Sequence, residues 1–317
     1  MKKTIIIKNN FGERIDKFLM REFFLNSEVT RGEIIRNIKA GDILVNDKKI
    51  KPSYLLKEKD GIKINILENK SDLIANKDVK FEVIFENENF IVINKPSGLQ
   101  VHPSAKNEKD TLVNGLICKF PEIKNVGDPL INSGQVNLRP GIVHRLDKDT
   151  SGIMIVARNQ KTFLELKDKF KNRRIQKTYW AIVYGKLKNK EGVVEKPMAR
   201  TENYKKQTIA NKKTKTKIRP AVTEYKVIKE NSEYSLVEVR PKTGRMHQIR
   251  VHLSSIGHPI LGDDKYKLKN IKTDQDISRH LLHARSINFN LGDKEFKFEA
   301  ELPEDFKNFL AGLTKNK

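Results

Sequence analysis

The sequence predicts an α+β fold, in which a small helix-and-hairpin segment precedes a larger, mixed and largely antiparallel domain. Three observations predict it. Strand-like runs outnumber helical periods along the chain. They do not alternate with helices in the long βαβ order that a doubly wound parallel sheet requires. A mostly polar stretch separates two patterned regions, giving a segment at 1–70, a linker at 71–80 and a main domain at 81–317.

In the first segment, Ile15, Phe18, Leu19 and Phe23 recur at one-face helical spacing. A second helix is expected from Thr30. That residue is the N-cap candidate, and Glu33 completes a capping-box pattern. Gly41 supplies the stop. Residues 43–50 read as a short hairpin with Asn46-Asp47 near its turn, and Asp60-Gly61 leads into an alternating strand, Ile62-Lys63-Ile64-Asn65-Ile66. In the main domain, strands are expected at 81–86, 90–94, 152–157, 178–183, 221–227 and 234–239. Residues 159–170 have helical spacing, with Phe163, Leu166 and Phe170 on one side. Residues 247–256 fit both periods in part; Ile249, Leu253 and Ile256 favour a helix closed by Gly257. Residues 196–219 form a basic insertion with nine Lys and Arg against Glu202. Its apolar content is too low for self-sufficient order, so a mobile loop or ribbon that gains structure on a polyanionic partner is expected.

The chain has 317 residues and a formal net charge of +23. Charge of that sign, spread over both halves, points to a polyanionic partner, because Lys and Arg displace counterions from phosphates. Cys118 is the only cysteine, so no intrachain disulfide and no cysteine metal cluster is expected. The N-terminal apolar run, Ile5-Ile6-Ile7, is too short for a signal-peptide core. No window nears the roughly 20 apolar residues of a membrane span. A soluble, cytoplasmic and monomeric protein is expected.

Chemistry concentrates in three separated segments. The most informative carries His144-Arg145-Leu146-Asp147 and Thr150-Ser151-Gly152. Asp147 has no second acid at fixed spacing, which suggests nucleophilic or base chemistry rather than an acid pair. The other two are Asn94-Lys95-Pro96-Ser97-Gly98 with Val101-His102-Pro103, and Gly244-Arg245-Met246-His247-Gln248-Ile249-Arg250. Together they resemble an RNA pseudouridine synthase of the Rlu group, over residues 12–300. The first segment resembles an S4-like RNA-binding domain through Arg14-Ile15-Asp16-Lys17-Phe18-Leu19, Thr30-Arg31, residues 41–46 and residues 57–64. Thr30 stands where Ser is usual and Met246 where Thr is usual. The wording of residues 141–147 and of His258-Pro259-Ile260-Leu261-Gly262-Asp263 looks closest to large-subunit ribosomal RNA synthases; transfer RNA stays open as a substrate.

The resemblance implies isomerisation of uridine. The glycosidic bond breaks, the uracil turns, and a carbon–carbon bond forms to the same ribose, with no cofactor and no metal. Asp147 matches the catalytic aspartate, which either attacks the anomeric carbon or removes a sugar proton to give a glycal. Burial raises a carboxylate pKa, so a cation must oppose it; Arg250 matches the arginine that pairs with the aspartate. Tyr179 matches a tyrosine that stacks on the target base, and Tyr184 is read as packing. Arg145 matches a residue that fills the space left by the flipped uridine, and Ile249 an apolar wall of the uracil pocket. Arg14, Lys17, Arg31, Arg36 and Lys39 are expected to present a basic helical face to RNA. Lys95-Pro96 and Gly98 are read as support for the site floor, and His102, His144, His247 and His252 as structural hydrogen-bonding residues. A non-catalytic RNA-binding or ribosome-assembly factor is the alternative. A glycoside hydrolase needs two facing carboxylates, and no partner for Asp147 emerges from the sequence.

Overall fold

The computed structural model describes residues 2–7, 12–23, 31–65, 73–103, 108–127, 138–202, 206–268 and 277–315. Thr30 and the side chain of Glu33, expected to form a capping box, lie outside the described residues, as do Ile66 and residues 68–72.

The N-terminal unit runs β1 (Lys2–Ile6), α1 (Ile15–Phe23), α2 (Arg31–Ala40), β2 (Ile43–Val45), β3 (Lys48–Lys49) and β4 (Gly61–Asn65). Its strands form an antiparallel sheet in the order β1-β4-β2-β3. The expected helical stripe is the core: Ile15, Leu19, Ile34 and Ile38 pack on Ile43, Ile62 and Ile64, all at most 1% exposed. Gly41 takes φ +90°, and the amides of Gly41 and Asp42 return to carbonyls of the last helical turn, so α2 stops there. Asn46 and Asp47 both take positive φ, as a two-residue hairpin turn demands.

The main unit continues with β5 (Glu82–Glu86), β6 (Phe90–Lys95), α3 (Leu112–Lys119), β7 (Ser151–Ala157), α4 (Gln160–Lys171), β8 (Gln176–Tyr184), β9 (Glu191–Glu195), β10 (Met198–Arg200), β11 (Gln207–Ile209), β12 (Val222–Glu230), β13 (Tyr234–Pro241), α5 (Gln248–Ser255), β14 (Leu282–Leu291), β15 (Lys294–Glu299) and α6 (Glu304–Lys315). One sheet runs β5-β6-β7-β14-β8-β13-β12-β9, with β15 added to β14. Every pairing is antiparallel except β7 with β14. Strands β6 and β7 are buried almost throughout, which explains their continuous apolar runs. Asn159 caps α4 by accepting from the Thr162 amide.

The β7–β14 junction positions the loop that carries Asp147. Only two parallel pairs form, Ser151 with His283 and Ala284 with Gly152. Gly152 takes φ +115°, and a Cβ there lies 2.3 Å from the Ala284 carbonyl oxygen and 2.6 Å from its nitrogen. Backbone cannot yield as a side-chain tip can. Gly152→Ala is therefore expected to cost about 3 kcal/mol or more, combining strain and overpacking. Chemical denaturation checks this; an unchanged unfolding midpoint contradicts it.

The basic insertion takes the ribbon form, one of the two forms expected. Residues 198–200 and 207–209 pair as an antiparallel ribbon. Met198 and Ala199 are buried, Met198 clustering with Ala221 and Val251. Lys196 donates to the Ser255 carbonyl, and the His252 imidazole bonds the Lys196 carbonyl. The described part is thus a paired ribbon seated on α5. Few apolar residues suffice because the ribbon borrows a surface on α5, which composition alone does not reveal. Lys205 lies outside the described residues.

Candidate active site

The loop at 145–150 is tied down from four sides. The Lys95 ammonium, fully buried, donates to the carbonyls of Pro96, Leu99 and Lys148 at 2.7, 2.9 and 2.9 Å. Burial pulls its pKa down to about 7 against the opposing charge of Asp149. Three carbonyl acceptors nevertheless match three ammonium protons, which favours the charged form. Thr150 and Ser151 hydroxyls bond the rings of His280 and His283 at 2.8 and 2.9 Å. Arg279 donates to the Asp149 carbonyl at 3.0 Å and grips Asp305 of α6 with two further bonds.

Opposite stands the start of α5. Gln248 pins it: its amide oxygen accepts from Thr243 Oγ1 (2.6 Å) and the Arg245 amide (3.0 Å), and its nitrogen donates to Val222 O and Thr223 Oγ1 on β12. Gln248 thereby turns Arg250 toward the Asp147 loop. Arg250 Nη1 lies 3.2 Å from Asp147 Oδ2. Its Nε and Nη2 clamp Asp263 at 2.7 and 2.8 Å. Asp263 also accepts the amides of Lys265 and Tyr266. Burial works to raise the Asp263 pKa, but the Arg250 bonds and charge outweigh it and hold the carboxyl below its usual range. Asp263 is not a free second acid, since both its oxygens are engaged.

Of the residues singled out from sequence, Asp147, Arg145, Tyr179, Ile249 and Arg250 line one cleft of about 1420 Å³. Tyr179 lies mid-sheet on β8, paired with Val239 and Ala284. Burial, then the negative charge of Asp147, raises the pKa of its phenol. Ile249 is 5% exposed and joins a core with Val183, Val237 and Leu253. Arg145 is exposed at the cleft, and its Nη1 donates to His102 Nε2 at 3.0 Å. His102 Nδ1 faces the Pro103 carbonyl at 3.1 Å, so Nδ1 carries the proton and Nε2 accepts. His144 accepts the Ile155 amide and stacks on Phe170. Tyr184 packs on Tyr234. Twelve Lys and Arg line the cleft against three carboxylates. The volume exceeds the roughly 300–1,000 Å³ of small-molecule sites, so size and charge both suit a polyanionic strand.

In the N-terminal unit, Lys17 and Lys39 are exposed. Arg14 is committed to the buried Asp16 through two bonds of 3.0 and 3.1 Å, so a local ion pair already holds its guanidinium. The side chains of Arg31 and Arg36 lie outside the described residues. Sequence reasoning missed two site residues, Asp263 and Tyr266. The signal for Asp263 was its place at the end of the His258–Asp263 wording; Tyr266 had none. Among the described residues, no group of three or more His, Cys, Asp or Glu is placed to hold a metal ion, and no helix is long and apolar enough to cross a membrane.

Residues 89–255 match the family model for RNA pseudouridylate synthase, and residues 13–62 match the S4 domain. The chain belongs to the RNA pseudouridylate synthase family and is an isomerase that converts uridines of RNA to pseudouridine. It is 34% identical over 323 residues to "Ribosomal large subunit pseudouridine synthase D" of Borreliella burgdorferi, covering 100% of this chain and 94% of that one. It is 35% identical over 324 residues to "Ribosomal large subunit pseudouridine synthase C" of Buchnera aphidicola subsp. Schizaphis graminum, covering 97% and 96%. Among solved structures, Human RNA Pseudouridylate Synthase Domain Containing 4 superposes with a TM-score of 0.58 at 28% identity, covering 74% of this chain and 93% of that chain.

Proposed function

We propose that this chain isomerises specific uridines of large-subunit ribosomal RNA, acting as a monomer, with Asp147 as the reacting carboxylate. The single observation that carries the proposal is the Asp147–Arg250 pair, 3.2 Å apart in a cleft lined by twelve cations and by Tyr179. The relatives named for the large ribosomal subunit support the choice of RNA.

The target uridine leaves its stack, at a cost of a few kcal/mol, and its base enters the cleft. Arg145 fills the vacated place: a guanidinium plane stacks on neighbouring bases and stays charged. The uracil rests against the Tyr179 ring and the apolar side of Ile249. The Arg250 hydrogen bond falls on Asp147 Oδ2 and His247 Nε2 lies 3.7 Å from the same oxygen, so Oδ1 is the oxygen presented to the sugar. It either bonds C1′ as the N1–C1′ bond breaks or takes a sugar proton to give a glycal. The uracil turns and C5 bonds C1′; in the first route the Asp147 O–C1′ bond breaks as it does so, and in the second Asp147 returns the sugar proton to C2′. The C5 proton is then lost and N1 takes one up. Basic residues on α1 and α2 (Lys17, Arg31, Arg36, Lys39) contact RNA backbone, with Arg14 contributing through the face left open by Asp16.

Mapping pseudouridines in total RNA with and without the gene tests this. At least one large-subunit site is expected to disappear. Sites lost only from transfer RNA overturn the ribosomal assignment; no site lost overturns the functional reading for this chain.

A further inference from the structure

We infer that Tyr266 is a positioning residue for the reaction: its hydroxyl fixes the tautomer of His247 and so aims an N–H at Asp147. The inference rests on Asp147 being the reacting carboxylate.

Tyr266 touches both partners of Asp147. Its ring lies beneath the Arg250 guanidinium, 5.2 Å from centroid to carbon. Its hydroxyl lies 2.7 Å from His247 Nδ1. The same hydroxyl accepts the backbone amide of Gln207, at 3.0 Å, from the basic ribbon. His247 Nε2, the other ring nitrogen, lies 3.7 Å from Asp147 Oδ2. The residue is held in the left-handed region at φ +55°, an uncommon conformation for a side-chain-bearing residue, and it leads directly into α5.

Proton accounting selects one arrangement. A neutral imidazole carries one N–H. If Nδ1 held it, the Nε2 lone pair would face a carboxylate, which is repulsive. If the phenol donates to Nδ1, the proton sits on Nε2 and points at Oδ2. The Gln207 amide supports the second case, because it occupies the acceptor side of the phenol oxygen and leaves the O–H to donate. Burial favours the neutral ring. Oδ2 then accepts from Arg250 at 3.2 Å and faces the His247 N–H at 3.7 Å, an electrostatic contact rather than a hydrogen bond, while Oδ1 is left to react. The same network explains why the ribbon is seated on α5: its backbone forms one leg of the site.

Two measurements test this. The ¹⁵N shifts of the His247 ring in the intact protein are expected to report a neutral, Nε2-protonated imidazole. An Nδ1-protonated ring overturns the inference, and this readout does not depend on any variant folding. Second, Tyr266→Phe keeps the ring under Arg250 and removes only the hydroxyl. Its kcat is expected to fall about tenfold, the rate equivalent of one hydrogen bond, with KM for RNA unchanged. In a His247→Ala background the same substitution is expected to cost nothing further. An unchanged kcat, or losses that multiply, overturns the role. Asp147→Asn run in parallel separates the two readings. An active Asp147→Asn enzyme removes the catalytic assignment, whereas an inactive one with normal Tyr266→Phe turnover removes only the role of Tyr266.

Discussion

Asp147→Asn is expected to abolish pseudouridine formation, with turnover falling by at least about 10³-fold, while RNA affinity stays within about twofold. The amide is nearly isosteric with the carboxylate, and Arg250 keeps its two bonds to Asp263, so the fold of the site survives. What disappears is the negative charge and the nucleophilic or basic oxygen. An amide can neither bond C1′ nor take a sugar proton, so both routes fail alike. Binding is insulated for an electrostatic reason. The cleft holds twelve cations against three carboxylates, and removing one negative charge leaves phosphate attraction intact or slightly stronger. The two quantities are read separately: release of label from C5 of uridine for turnover, and filter binding for affinity. Substantial turnover by Asp147→Asn would sink the assignment.

Arg250→Ala is expected to fail on two counts. Arg250 stands between Asp147 and the buried Asp263, with its charge shared between them. Without it, Asp263 keeps only its backbone donors for a buried negative charge, a loss of about 3–5 kcal/mol by analogy with broken buried ion pairs. Turnover is expected to vanish as well, because Asp147 loses its counter-charge and its orientation. Arg250→Ala/Asp263→Ala separates the effects. Deleting the orphan carboxylate restores much of the thermal stability but none of the turnover. Arg250→Lys restores the charge, yet one ammonium cannot reproduce the fork to Asp263 and also reach Asp147; it is expected to stay far below wild-type turnover. A double variant as unstable as Arg250→Ala would show that Asp263 is not the source of the instability.

Legibility followed the range of the interactions. The α1 stripe, the Gly41 stop, the Asn46-Asp47 turn and the apolar β6 and β7 are encoded within a few residues of each other, and periodicity sufficed to read them. Periodicity did not give β1, α3, β9, β14, β15 or α6. Strand β15 (Lys294–Glu299) alternates charge with Phe296 and Phe298, and is short and charged enough to resemble loop. Its order comes from pairing with β14 and from a phenylalanine cluster including Phe85, Phe90 and Phe289. The seat of the ribbon at 198–209 was not legible for the same reason: its apolar partners, Val251 and Tyr266, lie well downstream.

The amino-acid sequence by itself determined the local elements, the strongly positive charge and the motif set that ranks Asp147, Tyr179 and Arg250 above their neighbours. Those are short-range properties, each carried by a run of adjacent residues. Tertiary structure alone decided that Arg250 divides its guanidinium between Asp147 and Asp263, that Tyr266 lies under that guanidinium, and that the basic ribbon supplies an amide to the same network. Hydrogen bonds act over about 3 Å of space, and the residues they join here stand as far as 103 positions apart along the chain.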